Sequence, residues 1–191
     1  MNIDIKKIKS GKSTEELLKL SIINMDKPSG PTSFQVSQFL KNALNIKKTS
    51  HFGTLDPMVS GVLPVGLNRA CRLNEYLMHR DKTYAGIMRL HIEIEKEKLE
   101  KVISGFLGKI MQMPPKRSRV KRALREREVK TFSIMEINEK DVLFETEVQA
   151  GTYIRKLIHD LGEMIGGAHM LELRRINAGI FSEDKLYTLY Q

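Results

Sequence analysis

The chain has 191 residues, a single cysteine and a formal net charge of +9. The length favours one domain with a full core, or two small ones, and one thiol, Cys71, excludes an intramolecular disulfide or a cysteine-rich zinc cluster. No apolar run approaches a membrane span and the N-terminus lacks the apolar stretch of a signal peptide, so a cytoplasmic protein with no membrane partner is expected.

Taken in chain order, Ser13-Thr14-Glu15-Glu16 is a Ser-x-x-Glu capping box that opens a short helix through Leu20. Ser21 to Met25 is apolar and stops at the turn Lys27-Pro28-Ser29-Gly30-Pro31, which predicts a strand. Thr32-Ser33-Phe34-Gln35 is a second capping box, and the helix after it sets Val36, Phe39, Leu40 and Ala43 on one face. Gly61 to Leu67 reads as a buried strand, and Arg69 to Met78 as a helix with Ala70, Leu73 and Leu77 inward. Lys82 to His91 reads as a strand. Glu95 to Leu107 is an amphipathic helix with Leu99, Val102, Ile103 and Phe106 on one side, stopped at Gly108. Lys109 to Gln112 is a short strand ending at Pro114-Pro115. Val129 to Ile137 and Val142 to Ala150 read as strands joined by the polar turn Asn138 to Asp141. Tyr153 to Ile165 is helical, with Ile154, Leu157, Ile158 and Leu161 inward, and His169 to Asn177 is a last strand. Strands and helices mix without regular βα alternation, which points to an α+β fold with a mostly antiparallel sheet.

The charge is not spread evenly. Between Lys116 and Lys130 stand eight basic residues and two acidic ones. Such a concentration reads as a phosphate-contacting surface more than as solubilising charge, and nucleic acid is the polyanion it fits. Arg117, Arg119, Lys121 and Arg122 are the candidate contacts. The histidines at 51, 79, 91, 159 and 169 show no metal-ligand spacing, and no Gly-rich phosphate loop opens a helix, so no metal and no cofactor is expected.

The stretch His51-Phe52-Gly53-Thr54-Leu55-Asp56-Pro57 is the most informative in the chain. Pro57 biases Asp56 towards an extended backbone, and Gly53 allows a turn or a close approach. A short carboxylate is thereby placed on a loop with rigid neighbours, where functional groups concentrate. Alone, an Asp-Pro of this kind is most often a simple turn.

Five separated motifs change that balance. The stretch from His51 to Pro57, with Gly61 and Leu63, resembles the active-site motif of the TruB/dyskerin family of RNA pseudouridine synthases. Asn24 to Ser33, Asp81-Lys82-Thr83-Tyr84, Gly151-Thr152-Tyr153-Ile154-Arg155 and Leu173-Arg174-Arg175 continue the resemblance, in order, over residues 21–182. Met88 to His91, Gln112 to Pro115 and Val120-Lys121-Arg122 are most similar to the archaeal and eukaryal guide-RNA-dependent branch. The resemblance implies a pseudouridine-synthase fold, with a mixed sheet, flanking helices and a central RNA-binding cleft. It divides the chain into an N-terminal segment, 1–20, a catalytic domain, 21–182, and a short tail, 183–191.

By the same resemblance Asp56 is the catalytic carboxylate, Arg155 its guanidinium partner and Tyr84 the ring that stacks on the flipped uracil. His51 fills the gap left by that base, Leu173 packs against it, and Lys27 supports the Asp56 loop. Each has a plainer alternative: a surface ion pair for Arg155, and strand core for Tyr84 and Leu173. An ionised Asp in a water-excluding cleft needs a nearby cation to offset desolvation. The family pattern usually has a small or hydroxyl-bearing residue where Phe52 stands, and often glycine in place of Ser50. The implied activity is isomerisation of uridines in ribosomal RNA, with transfer RNA as a further substrate, within an H/ACA guide ribonucleoprotein. The implied partners are guide and target RNA and the accessory proteins. A stand-alone enzyme acting on transfer RNA and a non-catalytic RNA-binding or ribosome-assembly factor are the alternatives. Guide-dependent relatives carry a C-terminal RNA-binding (PUA) domain. Only the short tail, 183–191, follows the catalytic domain here, so the PUA domain is expected as a separate chain, the alternative being an enzyme that works without it.

Overall fold

The computed structural model describes residues 10–114 and 121–190. Helix α1 (Thr14–Lys19) starts as its capping box predicts: Ser13 accepts from the Glu16 N–H, and the Glu16 side chain reaches back to the Ser13 backbone. Strand β1 (Leu20–Lys27) follows. The second box, Thr32 with Gln35, caps α2 (Ser33–Ala43) in the same way. Then come β2 (Thr49–His51), β3 (Ser60–Asn68), a 3-10 turn over Arg69–Leu73, α3 (Asn74–Leu77) and β4 (Lys82–Leu90). Helix α4 (Lys96–Ser104), β5 (Gly108–Gln112), β6 (Arg125–Asn138), β7 (Asp141–Val148), α5 (Ile154–Glu163), β8 (Ala168–Ala178) and β9 (Phe181–Ser182) complete the order.

The nine strands form one sheet in the order β1-β3-β8-β4-β7-β6-β5, with β2 beside β3 and β9 beside β8. Every strand pair is antiparallel except β3 with β8. The α+β architecture and the mixed, mostly antiparallel sheet are as expected. The parallel β3–β8 pairing is short, joining Ser60 with Arg174 and Gly61 with Arg175. It demands glycine: a Cβ at Gly61 would lie 2.2 Å from the Arg175 carbonyl oxygen. This junction brings the Asp56 loop, which runs from β2 to β3, beside β4 and β8.

One face of the sheet carries the core. Met88 and Leu90 of β4, Val142, Phe144 and Val148 of β7 and Leu63, Val65 and Leu67 of β3 are buried on it. Helix α5 closes that face with Ile154, Leu157, Ile158 and Leu161. Each such side chain contributes about 1.5–3 kcal/mol by leaving water.

Three expectations fail locally. On α2 the inward face is Ser33, Val36, Ser37 and Leu40, while Phe39 and Ala43 are exposed. The cause is polar: Ser33 is turned inward to bond the Leu55 backbone, and this rotates the helix. The Arg69–Met78 segment is not one helix but a 3-10 turn followed by a single α-turn, and Leu73 faces solvent. Strand β6 begins at Arg125 rather than Val129, because β5 offers a ladder that reaches back to Arg125 opposite Gln112. Phe52, the departure from the family pattern, is core. Its ring lies over Gly66, where an added Cβ would come within 2.5 Å of it. Ser50 pairs with the same glycine from β2.

Candidate active site

Asp56 sits in the loop between β2 and β3, and both its neighbours are tied to buried side chains. The Ser33 hydroxyl donates to the Leu55 carbonyl at 3.0 Å and accepts from the Leu55 N–H at 2.8 Å. Lys27 Nζ donates to the carbonyls of Pro57, at 2.9 Å, and Pro28, at 2.7 Å. The Gly30 N–H also donates to Pro57, at 2.9 Å. Lys27 is fully buried, and burial pushes its pKa down while the Asp56 charge opposes that shift. The sequence places Lys27 under this loop, and the structure puts it there. Ser33 was not singled out by sequence, because a serine at the first turn of a capped helix carries no catalytic signal.

Arg155 projects from the first turn of α5, and its Nη1 lies 3.0 Å from Asp56 Oδ2. The start of α5 is fixed by Gln112 at the end of β5: its side-chain oxygen accepts the Tyr153 N–H at 2.9 Å, and its amide donates to the Tyr153 carbonyl at 3.3 Å. Gln112 is buried, so this amide clamp is a rigid support for the helix that presents Arg155. Asp56 and Arg155 themselves are open, at 58% and 60% side-chain exposure. An ion pair that open adds little to stability. Its arrangement, a carboxylate held on both sides with one guanidinium in hydrogen-bond contact, is suited to a nucleophilic or electrostatic role.

Tyr84 lies on β4, in register with Arg175 of β8 and Thr146 of β7. It is half-buried, with its ring packed against the core. Leu173 pairs with Gly86 on the same two strands and is buried. His51 ends β2, with its Nε2 3.2 Å from the Thr54 hydroxyl. Burial, and secondly the Arg175 charge, depress the His51 pKa, which favours the neutral ring. Arg175 is the largest fully buried side chain, and its Nη2 donates to the Gly53 carbonyl at 3.0 Å, three residues before Asp56. The loop of Asp56, the strand of Tyr84 and His51 are therefore brought around one buried cation.

Lys82 completes this basic floor. It is buried, and its Nζ donates to the carbonyls of Met78, at 2.6 Å, and Arg80. Burial and the Arg175 charge push its pKa down to about 8, against a smaller upward pull from Asp81. In the unfolded chain a lysine titrates near about 10.4. Between these values the unfolded chain binds more protons than the folded one, so folding stability rises with pH there. The cost of burying the charge is fully present below pH 8. We expect the unfolding free energy of the wild type to climb relative to Lys82→Met between pH 8 and 10, measured by urea unfolding. A constant difference across that range would show that burial does not lower the Lys82 pKa.

The basic run divides in two. Arg117 and Arg119 lie outside the described residues. Lys121 and Arg122 are exposed just ahead of β6. Further on, Arg127 donates to the carbonyls of Gly151, at 3.1 Å, and Glu126, at 2.8 Å, while Lys130 pairs with Asp81 and Glu147. Those two cations are engaged within the fold, so the charge that sequence alone assigns to a phosphate surface is smaller beyond Arg122. Among the described residues no three His, Cys, Asp or Glu side chains converge on a possible metal position, and no helix is long and apolar enough to cross a membrane.

This fold recurs in a distant chain described as a pseudouridylate synthase, at TM-score 0.52 and 15% identity, covering 89% of this chain and 68% of that one. At much higher identity, the structure superposes on a chain of a Cbf5-Nop10-Gar1 complex with TM-score 0.91 and 48% identity, covering 95% of this chain and 56% of that one. A second neighbour comes from an H/ACA ribonucleoprotein bound to a substrate RNA containing 2′-deoxyuridine, at TM-score 0.86 and 44% identity, covering 95% and 55%. The fold and the site thus define a pseudouridine-synthase scaffold.

The chain belongs to the TruB family of pseudouridylate synthases: the family's N-terminal domain pattern matches residues 41–98 and 91–154. The pattern of the tRNA pseudouridylate synthase B C-terminal domain matches residues 155–191. Relatives called probable tRNA pseudouridine synthase B are 47% identical in Methanothermobacter thermautotrophicus, over 92% of this chain and 55% of the relative, and 51% identical in Thermococcus onnurineus, over 91% and 52%. The chain spans about half the length of these relatives.

Proposed function

We propose that this protein isomerises uridine to pseudouridine in RNA, as the catalytic subunit of an H/ACA-type guide ribonucleoprotein. The observation that carries this reading is the Asp56–Arg155 pair at 3.0 Å, on a loop held from both sides. The reaction breaks N1–C1′, turns the base and joins C5 to C1′, while the C5 proton is replaced by one on N1. Atoms and charge balance without redox or an external energy source, so a carboxylate, a cation and a stacking ring suffice. Asp56 is the carboxylate that stabilises or attacks the electron-poor centre. Arg155 keeps it aimed. A base within folded RNA must be flipped to reach it. Tyr84 stacks on that base, worth about 1–3 kcal/mol, with Leu173 beside it and His51 at the vacated position. The solvent exposure of Asp56 and Arg155 means that the bound RNA supplies the water exclusion. Lys27 acts from beneath, by holding Pro57. In this reading residues 21–182 are the catalytic unit.

Two observations bear on the RNA it acts on. The likeness to chains solved in a Cbf5-Nop10-Gar1 complex and in an H/ACA ribonucleoprotein bound to a substrate RNA supports action within an H/ACA-type assembly with further protein subunits. The curated relatives' names support a second reading, direct action on transfer RNA. Turnover on transfer RNA, measured with and without a guide RNA and accessory proteins, separates the two.

The basic run up to Arg122 is the RNA-contacting surface in this account. Reversing Arg117, Arg119 and Arg122 to Glu should weaken RNA binding, and each lost phosphate contact should reduce the slope of log K against log salt by about 0.7–0.9. An unchanged slope in a filter-binding titration would place this run away from the RNA.

A further inference from the structure

Arg175 is a charge without a carboxylate. It is fully buried between β3, the catalytic loop and β4. Its Nε donates to the Val62 carbonyl at 2.8 Å, and its Nη2 to the Gly53 carbonyl at 3.0 Å. Its Nη1 is also buried and makes no hydrogen bond of ordinary geometry. Two neutral carbonyls compensate such a cation only in part, and an apolar residue of similar volume is often no less stable in such a place. Its neighbours make the balance worse: the same charge disfavours protonation of Lys82 and His51.

What Arg175 gains from the fold is geometry. It is the register partner of Tyr84 across β4 and β8. The Tyr84 phenol is the group that favours its charged form, against a dominant burial effect that lowers its pKa. On the other side, Gly53 has φ +98°, and a Cβ there would lie 3.4 Å from Arg175 Nη1, so loop and guanidinium are in close contact. One planar group thus touches the loop that bears Asp56, the strand that follows it, and the tyrosine opposite. Being sealed from solvent, it cannot touch RNA.

We propose that Arg175 is a positioning residue that locks the Asp56 loop and the Tyr84 hydroxyl into one rigid unit. This rests on the pseudouridine-synthase reading of the site. The buried charge is kept because a planar fork can bond the loop and β3 at once while its charge lies within reach of the phenol, which a lysine or a methionine cannot reproduce. The loss of Arg175 is then felt through Tyr84, and the two residues form a coupled pair.

A double-mutant cycle tests this, with Arg175→Met, Tyr84→Phe and the double variant in single-turnover pseudouridine formation on a uridine-containing RNA. Each single change should lower the rate by at least about 30-fold with RNA affinity within a few-fold, and the double variant should be no slower than the worse single by more than about 3-fold. Multiplying losses, or a normal rate in Arg175→Met, would overturn the proposal. If the Met variant does not fold, Arg175→Lys, which keeps the charge without the fork, replaces it in the same cycle.

The cycle is repeated on urea unfolding, which needs no turnover. There the effect of Tyr84→Phe on the folded-to-unfolded ratio should shrink by about 5-fold or more when Arg175 is absent. Additive unfolding effects would overturn the coupling. A wild type inactive on every RNA but with coupled unfolding would instead refute the enzyme reading and leave the pair standing.

Discussion

Asp56→Asn should abolish pseudouridine formation while leaving RNA affinity within a few-fold and the fold intact. The amide keeps the size of the side chain and one acceptor oxygen, but not the charge. Beyond the coulombic support that charge gives buried Lys27, the loop is held by other groups: Ser33 at Leu55 and Lys27 at Pro57. The side chain is 58% exposed, so losing its ion pair with Arg155 costs little stability. The chemical cost is of another order. Removing an activated nucleophile, or the charge facing an electron-poor sugar, ordinarily costs several powers of ten. The expected rate is below about a hundredth of wild type in a single-turnover assay. A variant above that level, with normal folding, would mean that Asp56 is only a turn residue.

Arg155→Lys should be nearly as severe, although it conserves charge. The guanidinium meets Asp56 at 3.0 Å from the first turn of α5, a helix start fixed by the Gln112 clamp on Tyr153. A lysine ammonium is a strongly hydrated point charge on a flexible stem, and it does not reproduce a planar partner held at that distance. Turnover should fall by about 100-fold or more, with RNA binding and thermal unfolding nearly unchanged, since exposed pairs contribute at most about 1 kcal/mol. Near-normal turnover would show that the contact with Asp56 has no part in the reaction.

Much of the fold was legible because its signals are local. Both capping boxes mark real helix starts, since each needs only four residues to satisfy its own backbone donors. The buried face of α5 follows from spacing alone. The misreadings arise where a tertiary contact outweighs local pattern. Helix α2 turns two serines inward, and one of them bonds Leu55; a hydrophobic periodicity has no means of showing that. Strand β6 extends into charged residues because β5 supplies a hydrogen-bonding edge, not because its side chains are apolar.

The site divides in the same way. Residues carried by motifs were named in advance, and the structure sets Asp56 against Arg155 and places Lys27 beneath the loop. The buried cations Lys82 and Arg175 stand inside two of those motifs but were given no role, because charged residues are ordinarily exposed. A signal was there nonetheless. Strand alternation puts Arg175 on the face of Leu173, and Lys82 on the face of Tyr84, Gly86, Met88 and Leu90. A charge in phase with a buried row is either at a strand end or held by the interior, and here it is held. Gln112 escaped notice for a related reason: a single amide makes two backbone bonds across 41 positions.

The central claim is that this chain converts uridine to pseudouridine through Asp56. The most direct test is to incubate the purified protein, with guide RNA and accessory proteins and also without them, with an RNA carrying a labelled uridine, and to quantify pseudouridine at that position for the wild type and Asp56→Asn. The account predicts pseudouridine with the wild type and none above background with the variant, at equal RNA occupancy. Equal yields from the two proteins, or no pseudouridine from the wild type when the RNA is shown to be bound, would contradict it.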